Sequence, residues 1–278
     1  MTHPAIEAGH VAVITGGASG IGLAAARKFL SLGLKVAIAD WNEEAIARAQ
    51  QALGPDVLVM RTDVSSRADV EAFQEAVLAR FGAVHVLMNN AGIGNGGPAL
   101  GNLDSWQRVI GTNLWGVVNG VQVFVPKMIA AGAPGLVINT GSKQGITTPP
   151  GDTAYNVSKA GVKVLTEALQ HELRGIEGGR IEAKLLIPGF VWTGLTTGDR
   201  AEKPAGAWTP EQTIDFMLAS IERGDFYILC PDNEVERPTD EKRILWAAGD
   251  IVENRPPLSR WHIEFSDRFK AFLARGKE

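Results

Sequence analysis

Short runs of β-branched and other apolar residues alternate along this chain with longer stretches of helical period, and that alternation constrains the fold more than any other feature. Val11 to Thr15, Lys35 to Asp40, Val57 to Arg61, Val84 to Asn89, Leu136 to Thr140 and Ile181 to Ile187 read as strands, with a last short one at Phe226 to Leu229. Their near-continuous apolarity fits strands covered on both faces. Helical patterns lie between them. Ser66 to Phe81, for example, opens with a Ser66/Asp69 capping pattern and sets Val70, Phe73, Val77 and Phe81 on one face. Repeated βαβ units wind into a parallel sheet with helices on both sides, so the expected class is α/β, a doubly wound parallel sheet.

A chain of 278 residues with 45% apolar content can bury one large core, and a single domain over 1–278 is expected. From Pro188 the character changes: residues 190–210 read as a lid, and Pro210 to Arg223 as a helix. Residues 231–278 read as a helical C-terminal extension, with patterns at Thr239 to Asn254 and Ile263 to Arg275 joined by Arg255-Pro256-Pro257. The formal net charge is -4 and the basic residues are scattered, which excludes nucleic acid as the main ligand. Cys230 is the only cysteine, so there is no intramolecular disulfide and no zinc-type spacing; no metal site is expected. Met1 to His10 lacks a signal-peptide pattern and no uninterrupted apolar run reaches membrane-spanning length. The expectation is a cytoplasmic protein with no membrane partner.

Directly after the first strand comes Thr15-Gly16-Gly17-Ala18-Ser19-Gly20-Ile21-Gly22, opening a helix that runs to about Leu32. Glycines are needed where backbone N–H groups approach a pyrophosphate, and the helix N-terminus adds positive potential. Gly20-x-Gly22-x-x-Ala25 satisfies the dinucleotide fingerprint of a Rossmann fold, and Asp40 ends the second strand where a ribose-binding acid belongs. A carboxylate there accepts ribose hydroxyls and repels a 2′-phosphate, and neither Trp41 nor Asn42 supplies a cation, so NAD is favoured over NADP. The plain alternative makes Asp40 a cap for the helix that starts near Glu43.

Tyr155 and Lys159 share a helix face four residues apart. A free phenol titrates near 10, and a cation roughly 4 Å away at an effective dielectric of about 20 would favour the phenolate by about 4 kcal/mol. That pairing would let Tyr155 exchange protons near neutral pH. Other polar residues fall at or just past strand C-termini, where ligands bind in open α/β sheets: Asn89, Asn90, Ala91 and Gly92, then Ser142, then Pro188 and Gly189. Singly each has a dull reading as a turn or cap, and Asn113 reads as a mid-helix polar residue bonding its own backbone.

Together these motifs resemble the short-chain dehydrogenase/reductase family over about residues 10 to 193. The matching pieces are the turn Thr15 to Gly22, the segment Asn89 to Gly92, Asn113, Ser142, Tyr155 and Lys159, in the family order. The resemblance implies NAD-dependent hydride transfer between a secondary alcohol and a ketone. In it Ser142 would bond the substrate oxygen, Tyr155 would exchange its proton, Lys159 would hold the nicotinamide ribose and lower the tyrosine pKa, and Asn113 would hold a relay water. Cofactor contacts would come from Gly16, Ser19, Gly20, Ile21, Gly22, Asp40, Asp63, Val64, Asn90, Ala91 and Gly92. Pro188, Val191 and Thr193 would hold the carboxamide. One departure is that Thr140-Gly141-Ser142 leaves one serine where the family has two, with Gly141 expected to loosen the backbone.

Seven tryptophans suggest an aromatic or alicyclic substrate walled by Trp192 and Trp208, with Gln144 bonding a second polar group. Lys143 is expected to face the same pocket. The tail, with Trp246, Trp261 and His262, would cover the pocket or join an interface. Helices over Asp104 to Ala131 and Thr153 to Gly175 carry apolar residues on more than one side, including Trp115 and Val164, and the resemblance implies a homodimer or homotetramer through them. The alternatives are a non-catalytic dinucleotide-sensing regulator and a nucleotide-sugar epimerase or dehydratase, with a methyltransferase further off.

Overall fold

The computed structural model describes residues 3–198 and 200–274; Met1, Thr2, Asp199 and the expected end of the last helix at Arg275 lie outside the described residues. Seven strands form one parallel sheet in the order β3-β2-β1-β4-β5-β6-β7. They are β1 Val11–Thr15, β2 Lys35–Asp40, β3 Leu58–Arg61, β4 Val86–Asn89, β5 Gly135–Thr140, β6 Ile181–Ile187 and β7 Tyr227–Leu229. The expected strands are all present, with starts that move by one or two residues, as at Leu58 and Val86.

Period-two alternation splits the core into two layers. Ala12, Ile14, Val36, Ile38, Met88, Ile138 and Leu186 face one way, onto α1 (Gly20–Ser31), α2 (Glu43–Leu53) and α8 (Pro210–Glu222). Val11, Val13, Ala37, Leu87, Val137, Leu185 and Ile187 face the other, onto α3 (Arg67–Phe81), α5 (Gly116–Ala131) and α7 (Thr153–Arg174). Strand order reverses between β1 and β4, which opens a crevice at their C-terminal ends.

The pattern over Asp104 to Ala131 is not one regular helix. It is α4 (Leu103–Ile110), a single π turn at Gly111–Trp115, and then α5. By length and composition Leu103–Ala131 could cross a bilayer, which the sequence pattern hides because asparagines and glycines interrupt the apolar run; half of its most apolar window is buried in the protein. A short α6 (Gln144–Thr147) follows β5. After β7 the chain forms α9 (Arg237–Val252), two 3-10 turns and α10 (Ser266–Ala274), so the last expected helix begins three residues later than its pattern.

Candidate active site

The turn after β1 is shaped by what has no room for a side chain. Gly16 sits at φ 62 with Ala91 Cα 2.7 Å from where its Cβ would be, and a Cβ on Gly17 would meet Ile38 Cβ at 2.6 Å. A Cβ on Gly22 would collide with Gly16 O. Ser19 is the N-cap of α1, yet its side chain makes no capping bond and no acid occupies the first turn, so the first N–H groups of α1 have no side-chain cap from the helix itself. A backbone cradle of this kind, closed to Cβ atoms and electropositive, fits the pyrophosphate of a dinucleotide.

Asp40 is buried at the end of β2; Ala18 N donates to its Oδ2 at 3.1 Å and Asn42 N to its Oδ1 at 3.2 Å. The cap of α2 is Asn42, which accepts from Ala45 N at 2.8 Å, so the plain reading of Asp40 as that cap does not hold. Asp63 is exposed and accepts from Ser65 N and Oγ, while Val64 is buried against Gly116. Asn90 donates to Gly16 O at 3.2 Å and, with Ala91, donates its backbone N–H to Thr15 Oγ1. Thr193 arrives from the far side, its Cγ2 3.1 Å from where a Cβ on Gly20 would stand. Pro188 and Val191 are buried nearby, Val191 in a parallel bridge with Trp208.

Asn113, fully buried in the π turn, does not bond its own backbone. Its Oδ1 accepts from Ile93 N at 2.8 Å, and its Nδ2 donates to Ile93 O at 2.9 Å and to Ser158 Oγ at 3.1 Å. A Cβ placed on Gly92 would lie 3.5 Å from both Asn113 Oδ1 and Lys159 Nζ, so these groups converge. Lys159 Nζ donates to Thr140 O at 2.8 Å and lies 5.7 Å from the centre of the Tyr155 ring. The expected acidic phenol is not a property of this pair alone. Burial holds Tyr155 above its ordinary value, nearby Ser142 pulls it back and the Asp152 charge pushes it up again. Burial also lowers Lys159, to about 8.

The substrate side corrects several expectations. Gly141 is buried and packed on Leu185 rather than loose, and its N–H donates to Leu186 O at 2.7 Å. Gln144 is exposed and its backbone N–H donates to Ser142 Oγ at 3.2 Å. Trp208 packs on Phe216 at 5.6 Å against the core beside α1 and α8 rather than standing as a free wall, whereas Trp192 is partly exposed. Trp246 is buried within the extension against Phe269, Phe272 and Arg255, and His262 lies exposed beside Phe265.

A short chain dehydrogenase family model matches residues 10–204. The chain belongs to the short-chain dehydrogenase family. SadH of Mycobacterium tuberculosis is 43% identical over 169 residues, 59% of this chain and 61% of that protein. The chain thus spans about three fifths of that relative's length. The 3beta-hydroxysteroid dehydrogenase 2 of Eggerthella lenta is 35% identical over 211 residues, 73% of this chain and 79% of its own. A solved short-chain dehydrogenase/reductase from Burkholderia phymatum, in complex with NAD, superimposes with a TM-score of 0.82 at 35% identity, covering 92% of this chain and 98% of that one.

Three features of this short-chain dehydrogenase escape a reading of motifs. Asn89 donates to Asn139 Oδ1 at 2.8 Å and Asn139 to Thr166 Oγ1 at 3.1 Å, a buried polar chain that ties β4 and β5 to α7. Lys143, next to Ser142, pairs with Asp232 at 3.2 Å and Asp240 at 2.5 Å, anchoring α9 beside the site. Asp152 holds several backbone N–H groups at once. Only the adjacency of Lys143 to Ser142 and of Asp152 to Tyr155 hinted at either.

Proposed function

We propose that the protein is an NAD-dependent oxidoreductase that interconverts a secondary alcohol and a ketone, with Tyr155 as acid and base. The observation that carries this reading is the convergence of Ser142, Tyr155, Lys159 and Asn113 at the crevice bounded by the glycine turn. NAD, when bound, supplies the hydride acceptor. The glycine turn and the start of α1 would hold its pyrophosphate, and Asp40 its adenosine ribose. Arg61, the register partner of Asp40, is committed to Glu43 at 3.3 Å, which leaves it poorly placed to welcome a 2′-phosphate.

Ser142 would orient the substrate oxygen and Tyr155 would take its proton as the carbonyl forms. Lys159 retains its proton at pH 7, because burial brings it only to about 8. Its buried charge, held by Thr140 O, would favour the phenolate once substrate closes the site. Asn113 fixes the Ile93 backbone at the edge of the crevice and completes the proposed proton relay. An alicyclic or aromatic alcohol suits Trp192, and the Eggerthella lenta relative is named for a hydroxysteroid. Trp115, Val157 and Val164 lie exposed, at 57%, 45% and 62%, which supports assembly of like subunits through this helical face.

The test is oxidation of a panel of aryl and alicyclic secondary alcohols with NAD and NADP in parallel. Wild-type protein is expected to turn over with NAD, and Tyr155→Phe to lose at least about a thousandfold in kcat with NAD affinity retained. Near-wild-type turnover by Tyr155→Phe would remove the mechanism.

A further inference from the structure

We propose that Asp152 is a positioning residue that clamps the loop 95–97 onto the first turn of α7, and so sets the substrate edge of the crevice relative to Tyr155. This rests on the functional reading above. One carboxylate accepts four backbone N–H groups: Asn95 at 3.0 Å on Oδ2, and Gly96 at 3.1 Å, Gly97 at 3.0 Å and Tyr155 at 3.4 Å on Oδ1. Oδ1 is thus shared among three donors while Oδ2 takes one. An N-cap of α7 needs the last of these bonds alone; the other three reach a loop more than fifty residues away in sequence.

Asn95 and Gly97 are left-handed, at φ 62 and 84, which turns successive N–H groups of the loop toward Asp152. A Cβ on Gly96 would stand 2.5 Å from Ala154 Cβ, so the loop lies directly on α7. At Gly94 a Cβ would be 3.2 Å from Leu195 Cδ1 and 3.9 Å from Asp152 Oδ2. Asp152 therefore stands where three pieces meet: the loop after β4, the helix of Tyr155, and the 190–210 segment that carries Leu195. Its charge also acts on the phenol, raising its pKa where Ser142 lowers it.

Two variants separate clamp from charge. Asp152→Asn keeps an acceptor oxygen and removes the charge; Asp152→Ala removes both. Steady-state oxidation of the best alcohol is followed from pH 6 to 10, alongside amide hydrogen exchange of residues 95–97. Asp152→Ala is expected to raise the alcohol KM about tenfold with a smaller change in kcat, with NAD affinity intact, and to lose exchange protection at Gly96 and Gly97. Asp152→Asn is expected to keep most of that protection and to shift the rising limb of kcat/KM to lower pH by about half a unit. Unchanged exchange at residues 95–97 in Asp152→Ala, or an equal loss of alcohol and NAD affinity, overturns the proposal. Absence of alcohol turnover by wild-type protein overturns the functional reading instead, and the exchange arm still decides the clamp.

Discussion

The crevice at β1 and the C-terminal side of the site are held together by opposite means. At β1 the geometry is set mainly by exclusion: Gly16, Gly17 and Gly22 stand where any Cβ would strike Ala91, Ile38 or Gly16 O. Beside Ser142 the geometry depends on side chains from distant segments, where Lys143 reaches Asp232 and Asp240 across about ninety residues and Asp232 also accepts from Phe190 N at 3.3 Å. The first arrangement leaves no room for a side chain at those three glycines. The second permits many substitutions singly, provided each charge keeps its counterpart.

Three changes test that contrast. Gly22→Ala, which drives a methyl group into Gly16 O, is expected to weaken NAD binding by about a thousandfold, roughly 4 kcal/mol, in calorimetric titration. Retention of tight binding would mean the turn can yield. Lys143→Ala, which removes the cation shared by two buried carboxylates, is expected to cost about 3 kcal/mol of stability in denaturant unfolding while NAD binding survives. Concurrent loss of NAD affinity would show that the two ends are not independent. The smallest effect concerns Lys159, whose folded pKa of about 8 lies below the ordinary lysine value of 10.5. Between those values the unfolded chain binds more protons, so stability rises with pH across that window. Wild-type protein should gain about 1.5 kcal/mol from pH 8 to 9.5 relative to Lys159→Met, read from paired thermal or urea melts. A flat difference would place the lysine in a wetter site.

What was legible followed the same division. Strand runs, the glycine turn and the Tyr155/Lys159 spacing are written in consecutive or periodic residues, so the layers, the crevice and the principal side chains could be read directly. The state of those side chains could not. Spacing suggested a cation about 4 Å from the phenol, whereas the fold buries Lys159 and sends it to Thr140 O, leaving the Tyr155 side chain partly exposed. Trp208 looked like a pocket wall and Trp246 like part of a pocket cover or interface, because indole rings are large and amphipathic, but Phe216, Phe269 and Phe272 claim them for packing. Asp152 belongs to no motif, because three of the N–H groups it gathers come from a loop whose position only the tertiary fold determines.

The π turn at Gly111–Trp115 adds a surplus residue to an otherwise regular rod, and Asn113 is the amide displayed by that surplus. A single-codon deletion there would let α4 and α5 join as one uninterrupted α-helix, their apolar faces still seated on the sheet. The scaffold would survive while the grip on Ile93 and Ser158 vanished. A descendant of this chain thus has a short genetic route to a folded relative whose crevice has lost that amide.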